Sequence, residues 1–177
     1  MDVQYKTYVH NPPHLFVPNA KYFITGATLH KIHYLKSDEI KKEVLQTMFK
    51  SFEYYDWIID DWVILNNHYH LMAKAPKDAS SLSQVINNFH RFSGLWIKKH
   101  LNLIGKDKIW HNYWDTCVNS KISYYARIHY LWFNPVKHKC INDPTLWKFG
   151  SYRHRKLHEI EIAVQYPYDK LKIYDDF

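Results

Sequence analysis

The stretch LNNHYHLMAKAP, Leu65 to Pro76, follows directly on WIIDDWVIL, Trp57 to Leu65, a run of β-branched and aromatic residues. Between the two β-prone arms stands Asn66-Asn67, a residue pair suited to a tight turn because Asn tolerates positive φ. This predicts a β-hairpin. Helical periodicity flanks it on both sides. Ile40, Val44, Met48 and Phe52 recur every four residues from Asp38 to about Tyr55. After Ser81-x-x-Gln84, a capping-box pattern, Leu82, Val85, Ile86, Phe89 and Trp96 mark a long helix to about Leu101. KYFITGATL (Lys21 to Leu29) and KIWHNYWDTCV (Lys108 to Val118) are β-prone, and Ser120 to Phe133 reads as a further helix with Pro135 just past its last turn. The order β-α-β-β-α-β plus a helix is that of a ferredoxin-like α+β antiparallel sheet. VHNPPHLFVPN (Val9 to Asn19) should be extended or looped, and the charged tail from about Lys156 shows no clear pattern.

A chain of 177 residues fits one domain, 1–177, with enough length for a sizeable core. Aromatic residues make up 18%, and 24 Lys and Arg against 17 Asp and Glu give a net charge of +7. Cations meet phosphates and rings stack on exposed bases, so this balance suits nucleic acid as a partner. The two cysteines, Cys117 and Cys140, form neither a disulfide framework nor a C-x-x-C metal site, and are expected as reduced thiols in the cytoplasm. No signal-peptide pattern and no membrane-length apolar run is read from the sequence.

Side chains on a strand alternate faces. His68, His70, Met72 and Lys74 therefore share one face, while Tyr69, Leu71 and Ala73 take the other, which can bury against helices. Two imidazoles about 6.6 Å apart along the strand can converge on one cation and leave coordination positions open. In a chain with 13 histidines, an H-x-H pair also arises as two ordinary hydrogen-bonded histidines, so the pair needs a partner to carry meaning.

SKISYYARIHYLWFNPVKH, Ser120 to His138, supplies one. At about 100° per residue, Tyr124, Tyr125, Ile128, Leu131 and Trp132 form an apolar stripe. Tyr130 projects nearly opposite, with Ser123, Arg127 and Asn134, and Asn134 lies one turn further along the same face. The expectation is that the Tyr130 hydroxyl is exposed and not needed for folding.

These residues resemble a known family. NPPH, KYFIT, VILNNHYHLM, IWHNYWDTCV, RIHYLWFNPVKH and FGSYRHR are similar, in order over about Asn11 to Arg155, to motifs of the single-tyrosine HUH transposases of the IS200-like group, and most of all to REP-associated tyrosine transposases. The resemblance implies a ferredoxin-like fold with an added nucleophile helix. It implies an enzyme that cuts and rejoins single-stranded DNA beside hairpins, with Mg²⁺ or Mn²⁺, through a 5′-phosphotyrosine. By the same resemblance His68 and His70 match metal ligands, Tyr130 the nucleophile, and Asn134 a polar residue that completes the metal site. Three departures stand out: LNN before the first histidine, where Met-Pro-Asn is more usual; Trp132, in a usually smaller or polar place; and Lys139, where glycine is common.

Imidazole alone favours zinc, but the resemblance, together with the Asn134 oxygen and phosphate oxygens, turns the expectation to Mg²⁺ or Mn²⁺. Arg127, Arg153, Arg155 and His14 are the candidates for DNA contact, while Lys98 and Lys99 read as a solvated helix end. The implied enzyme is a monomer in the cytoplasm, associated with the nucleoid; a homodimer exchanging the tyrosine helix is the alternative. Two other classes compete. One is a hairpin-binding module of the same fold without chemistry. The other is a replication-initiation or relaxase-type nuclease, whose usual extra domains 177 residues leave no room for.

Overall fold

The computed structural model describes residues 4–8, 11–103, 105, 108–169, 171 and 173, with backbone alone for 4–8 and 11–14. A two-stranded antiparallel hairpin comes first, β1 (Gln4–Tyr8) with β2 (Asn11–Phe16). The main sheet holds β3 (Lys21–Thr28), β4 (Ile58–Ile64), β5 (His68–Lys74) and β6 (Trp110–Val118) in the antiparallel order β4-β5-β3-β6. With α1 (Asp38–Tyr54) after β3 and α2 (Leu82–His100) after β5, this is the expected ferredoxin-like arrangement. Two helices follow, α3 (Lys121–Lys137) and α4 (Leu157–Val164). Among the described residues no helix is long and apolar enough to cross a membrane.

The helices sit on both sides of the sheet. Tyr22, Ile24, Tyr69, Leu71 and Ala73 point to the α1–α2 side and join Val44, Met48, Phe52, Val85, Ile86 and Phe89 in one core. Phe23, Val63 and Met72 point the other way and pack with Ile128, Leu131 and Trp132 of α3 and Ala163 of α4. Hence β5 is buried at every position except Lys74, and the alternation read from the sequence separates two cores rather than core from solvent. The outer edge of β4 is met by the segment before α4: Ile64 N–H donates to the Phe149 carbonyl at 2.9 Å, and Ser151 N–H to that of Trp62 at 2.9 Å.

The pairing of β3 with β5 sets Gly26 opposite Tyr69. A Cβ at position 26 would lie 2.4 Å from the Tyr69 ring, so glycine is the residue that lets this ring cross the neighbouring strand.

Three local expectations change. Ser81 does not cap α2: a 3-10 turn, Ala79–Ser81, precedes the helix, with Asp78 as its cap, and Ser81 Oγ instead accepts from Trp57 Nε1 at 2.9 Å. α3 runs through Pro135 to Lys137, ending in a Schellman arrangement in which Cys140 N–H reaches the Pro135 carbonyl and Lys139 N–H that of Val136, both at 2.9 Å. Lys139 takes the left-handed φ of 55° that this motif demands, a conformation that glycine adopts without strain. Neither Asn66 nor Asn67 has positive φ.

Candidate active site

β5 presents His68 and His70 to the α3 side, both fully buried. Each ring is anchored through Nδ1. Asn67 Oδ1, an acceptor, lies 2.8 Å from His68 Nδ1, and Thr25 Oγ1, directly across the β3/β5 pairing, lies 2.7 Å from His70 Nδ1. The Asn67 contact fixes the proton of a neutral His68 on Nδ1 and turns the Nε2 lone pair outward. The oxygen that orients the first histidine thus comes from the last residue of LNN, Asn67, and not from the departing Leu65 and Asn66.

From the other side α3 brings two residues spaced one turn apart. Tyr130 Oη lies 3.4 Å from His70 Nε2, and Asn134 Oδ1 lies 3.2 Å from His68 Nε2. The expectation of an exposed Tyr130 is corrected: it is 1% exposed, edge-on to His70, Phe23 and Tyr168. α3 is covered on both sides, by the sheet and by the segment around and after α4, so a second apolar stripe is not required for burial.

The donor set fits a divalent ion. A neutral His68 faces the Asn134 carbonyl oxygen with a lone pair of its own, and two acceptors at 3.2 Å are reconciled by a cation between them or a proton on Nε2. Asn134 Nδ2 is buried without a hydrogen-bond partner. Among the described residues no group of three or more His, Cys, Asp or Glu is placed to hold a metal.

Two nearby residues were not anticipated. The Lys137 ammonium lies 4.8 Å from the centre of the Tyr130 ring, and the His138 ring 4.8 Å from that of His68. Tyr130, Asn134 and His138 are each four residues apart on α3, so the spacing that singled out Asn134 also reaches His138 once the helix passes Pro135.

The DNA-contact candidates divide. Arg127 is buried on the Tyr130 face of α3. Arg153 is exposed and carries no ion pair among the described residues. Arg155 is engaged within the fold. Its Nε and Nη2 grip the two oxygens of buried Asp61 at 3.0 and 2.9 Å, with further bonds to the Asp60 carbonyl and Glu159. Asp61 also accepts from Ser151 Oγ at 2.7 Å and Trp132 Nε1 at 2.9 Å, which is why a tryptophan stands at 132. Burial pushes the Asp61 carboxyl above its ordinary pKa, against the pull of Ser151, Arg155 and Trp132. His14 lies in β2, where side chains fall outside the described residues.

The profile of the family described as "Transposase IS200 like" matches residues 16–129, well over half of the chain. The chain belongs to the IS200-like transposase family. The match stops one residue short of Tyr130. A REP-associated tyrosine transposase of Escherichia coli (strain K12) is 28% identical over 98 residues, 53% of this chain and 53% of that protein, so the matched region spans about half the length of the curated relative. The fold is shared with a solved structure of a REP-associated tyrosine transposase bound to a REP hairpin, at TM-score 0.65 and 19% identity over 98% of this chain and 94% of the other.

Proposed function

We propose that this IS200-like transposase cleaves and rejoins single-stranded DNA next to a hairpin, by metal-dependent transesterification through a 5′-phosphotyrosine on Tyr130. One observation carries the reading: Tyr130 Oη stands 3.4 Å from His70 Nε2 while Asn134 Oδ1 stands 3.2 Å from His68 Nε2, all in one buried cluster. The hairpin as partner is supported by the fold's likeness to a transposase solved with a REP hairpin.

His68, His70 and Asn134 would hold Mg²⁺ or Mn²⁺, which when bound supplies polarisation of the scissile phosphate and offsets its charge. Asn67 and Thr25 hold the two imidazoles with Nε2 facing α3. Tyr130 Oη attacks phosphorus, the bond from phosphorus to the 3′ oxygen breaks, and the net change moves the phenolic proton to that 3′ oxygen. The ester bond to tyrosine conserves the phosphodiester linkage, so attack by another 3′-OH rejoins the strand without a nucleotide cofactor. Burial of the Tyr130 ring limits competing attack by water.

The test is covalent capture. Labelled single-stranded hairpin oligonucleotides with flanks are incubated with Mn²⁺ and the protein, then denatured. Wild type should retain label, and Tyr130→Phe should retain none while still binding the hairpin. Label retained by Tyr130→Phe refutes the assignment; hairpin binding with no wild-type adduct makes the chain a binding module instead. The contact between Tyr130 and His70 within one chain supports a monomer as the working form, and a stable dimer in light scattering would contradict that.

A further inference from the structure

Arg127 is a cation that the fold buries without an anion. It is 7% exposed. Nη1 donates to the Ser123 carbonyl at 3.3 Å and to the Ser123 hydroxyl, both one turn back on α3, while the buried Nε has no partner. No described Asp or Glu pairs with it, and burial alone lowers its pKa. An unpaired buried guanidinium is costly to a fold unless an anion meets it in the working state. Arg127 is three residues before Tyr130 on the same helix face. Its Cζ lies 5.9 Å from the centre of the Phe23 ring, and Phe23 stacks on His70 at 5.5 Å.

Beyond Phe23 the same sheet face continues to β6, the edge strand. Trp114 pairs with Thr25, and Thr25 with His70. Paired residues share a face, so Trp114 lies on the histidine face two strands across, roughly 10 Å from His70 at ordinary strand spacing. α3 packs on β4 and β5, and the Trp114 ring is half-buried, stacked on His111 at 5.6 Å and 14°.

We propose that single-stranded DNA crosses the histidine face toward β6, with one backbone phosphate held by Arg127 and a neighbouring base stacked on Trp114 and His111. This rests on the single-strand reading above and assigns the strand its path. A phosphate contact and a stacking contact differ in their response to salt. The first releases counterions, changing the log–log salt slope by about 0.7 per contact on a single strand; the second does not.

The experiment measures fluorescence anisotropy of a short labelled oligothymidine across a salt series. Variants are Arg127→Met, Arg127→Lys, Trp114→Ala, Trp114→Phe and, as a distant charge control, Lys50→Ala on the exposed side of α1. Arg127→Met should weaken binding about tenfold and lower the salt slope by about 0.7, while Arg127→Lys keeps the slope. Trp114→Ala should weaken binding at least about fivefold at unchanged slope, with Trp114→Phe restoring most of it. The path is overturned if neither residue matters more than Lys50, if Arg127→Met leaves the slope intact, or if Trp114→Ala lowers it. Should Arg127→Met not fold, Arg127→Lys and the Trp114 pair still decide. Adduct formation by the wild type is scored in parallel. Adduct with unaltered oligothymidine binding in the variants removes the path and leaves transesterification standing, and the predicted variant losses without adduct do the reverse.

Discussion

Two buried polar clusters tie α3 to the sheet, and they are built to different standards. Around Asp61 every contact is matched: Ser151 and Trp132 donate, Arg155 grips both oxygens, and the fork is held again by the Asp60 carbonyl and Glu159. About one strand away, the cluster of His68, His70, Tyr130 and Asn134 is anchored from behind by Asn67 and Thr25, and its contacts to α3 are longer. Asn134 Oδ1 stands 3.2 Å from His68 Nε2, the tyrosine contact is long at 3.4 Å, and Asn134 Nδ2 and Arg127 Nε are buried without a hydrogen-bond partner. A satisfied network contributes to folding, whereas buried polar atoms left without a partner, here Asn134 Nδ2 and Arg127 Nε, are places for a group that arrives later.

That contrast can be broken by experiment. The largest effect is expected on chemistry: His68→Ala and His70→Ala should each drive Mn²⁺-dependent adduct formation below detection, with the protein still folded by circular dichroism. Adduct surviving in both would leave the front of the cluster without a purpose. Next comes Asp61→Ala, which strands the Arg155 guanidinium and removes four contacts of a matched network. It should cost about 3–5 kcal/mol in denaturant titration, a large part of the stability of a single domain. If the two classes of substitution exchanged outcomes, stability lost at the histidines and adduct lost at Asp61, the comparison would be reversed.

A third prediction extends it to the opposite sheet face. His90 Nε2 meets Tyr69 Oη at 3.0 Å, its ring stacks on Trp110 at 4.8 Å, and desolvation holds its pKa down at about 3. The unfolded chain takes up a proton near the ordinary histidine value while the native state stays neutral. Stability is therefore present above about pH 6.5 and is lost as pH falls toward 3, with a slope of up to about 1.4 kcal/mol per pH unit from this residue. Urea titrations between neutral and mildly acid pH should show a shallower dependence in His90→Gln, and equal slopes would count against it. The smallest effect is at the end of the nucleophile helix. Lys139→Gly relieves a left-handed lysine and should stabilise by about 0.5–1 kcal/mol, a rise of a few degrees in Tm, with adduct formation unchanged.

The succession of strands, the hairpin and the shared face of His68 and His70 were legible because period-two alternation is a strand's own signature and survives whatever packs on it. The site's depth was not. Periodicity on α3 picked out one apolar stripe, but the helix is sandwiched, so Tyr130 and Arg127 are buried without belonging to that stripe. Ser81 matched a capping box, yet Trp57, distant in sequence, claimed its hydroxyl. Pro135 signalled a stop that the Schellman turn defers, which hid His138. In each case a long-range partner or a later turn overrode a local rule.

Gly26 has a consequence for how such a chain can change over time. Position 26 is closed to every side chain while Tyr69 stands opposite, and Tyr69 stands between the two histidines. A lineage that trades glycine for alanine here must first shrink the tyrosine, and shrinking it removes the partner of His90 and a large part of the core beneath β5. The two positions can drift only as a pair and only through a poorly packed intermediate. The register that keeps both imidazoles aimed at α3 is thus guarded from the opposite face of the sheet.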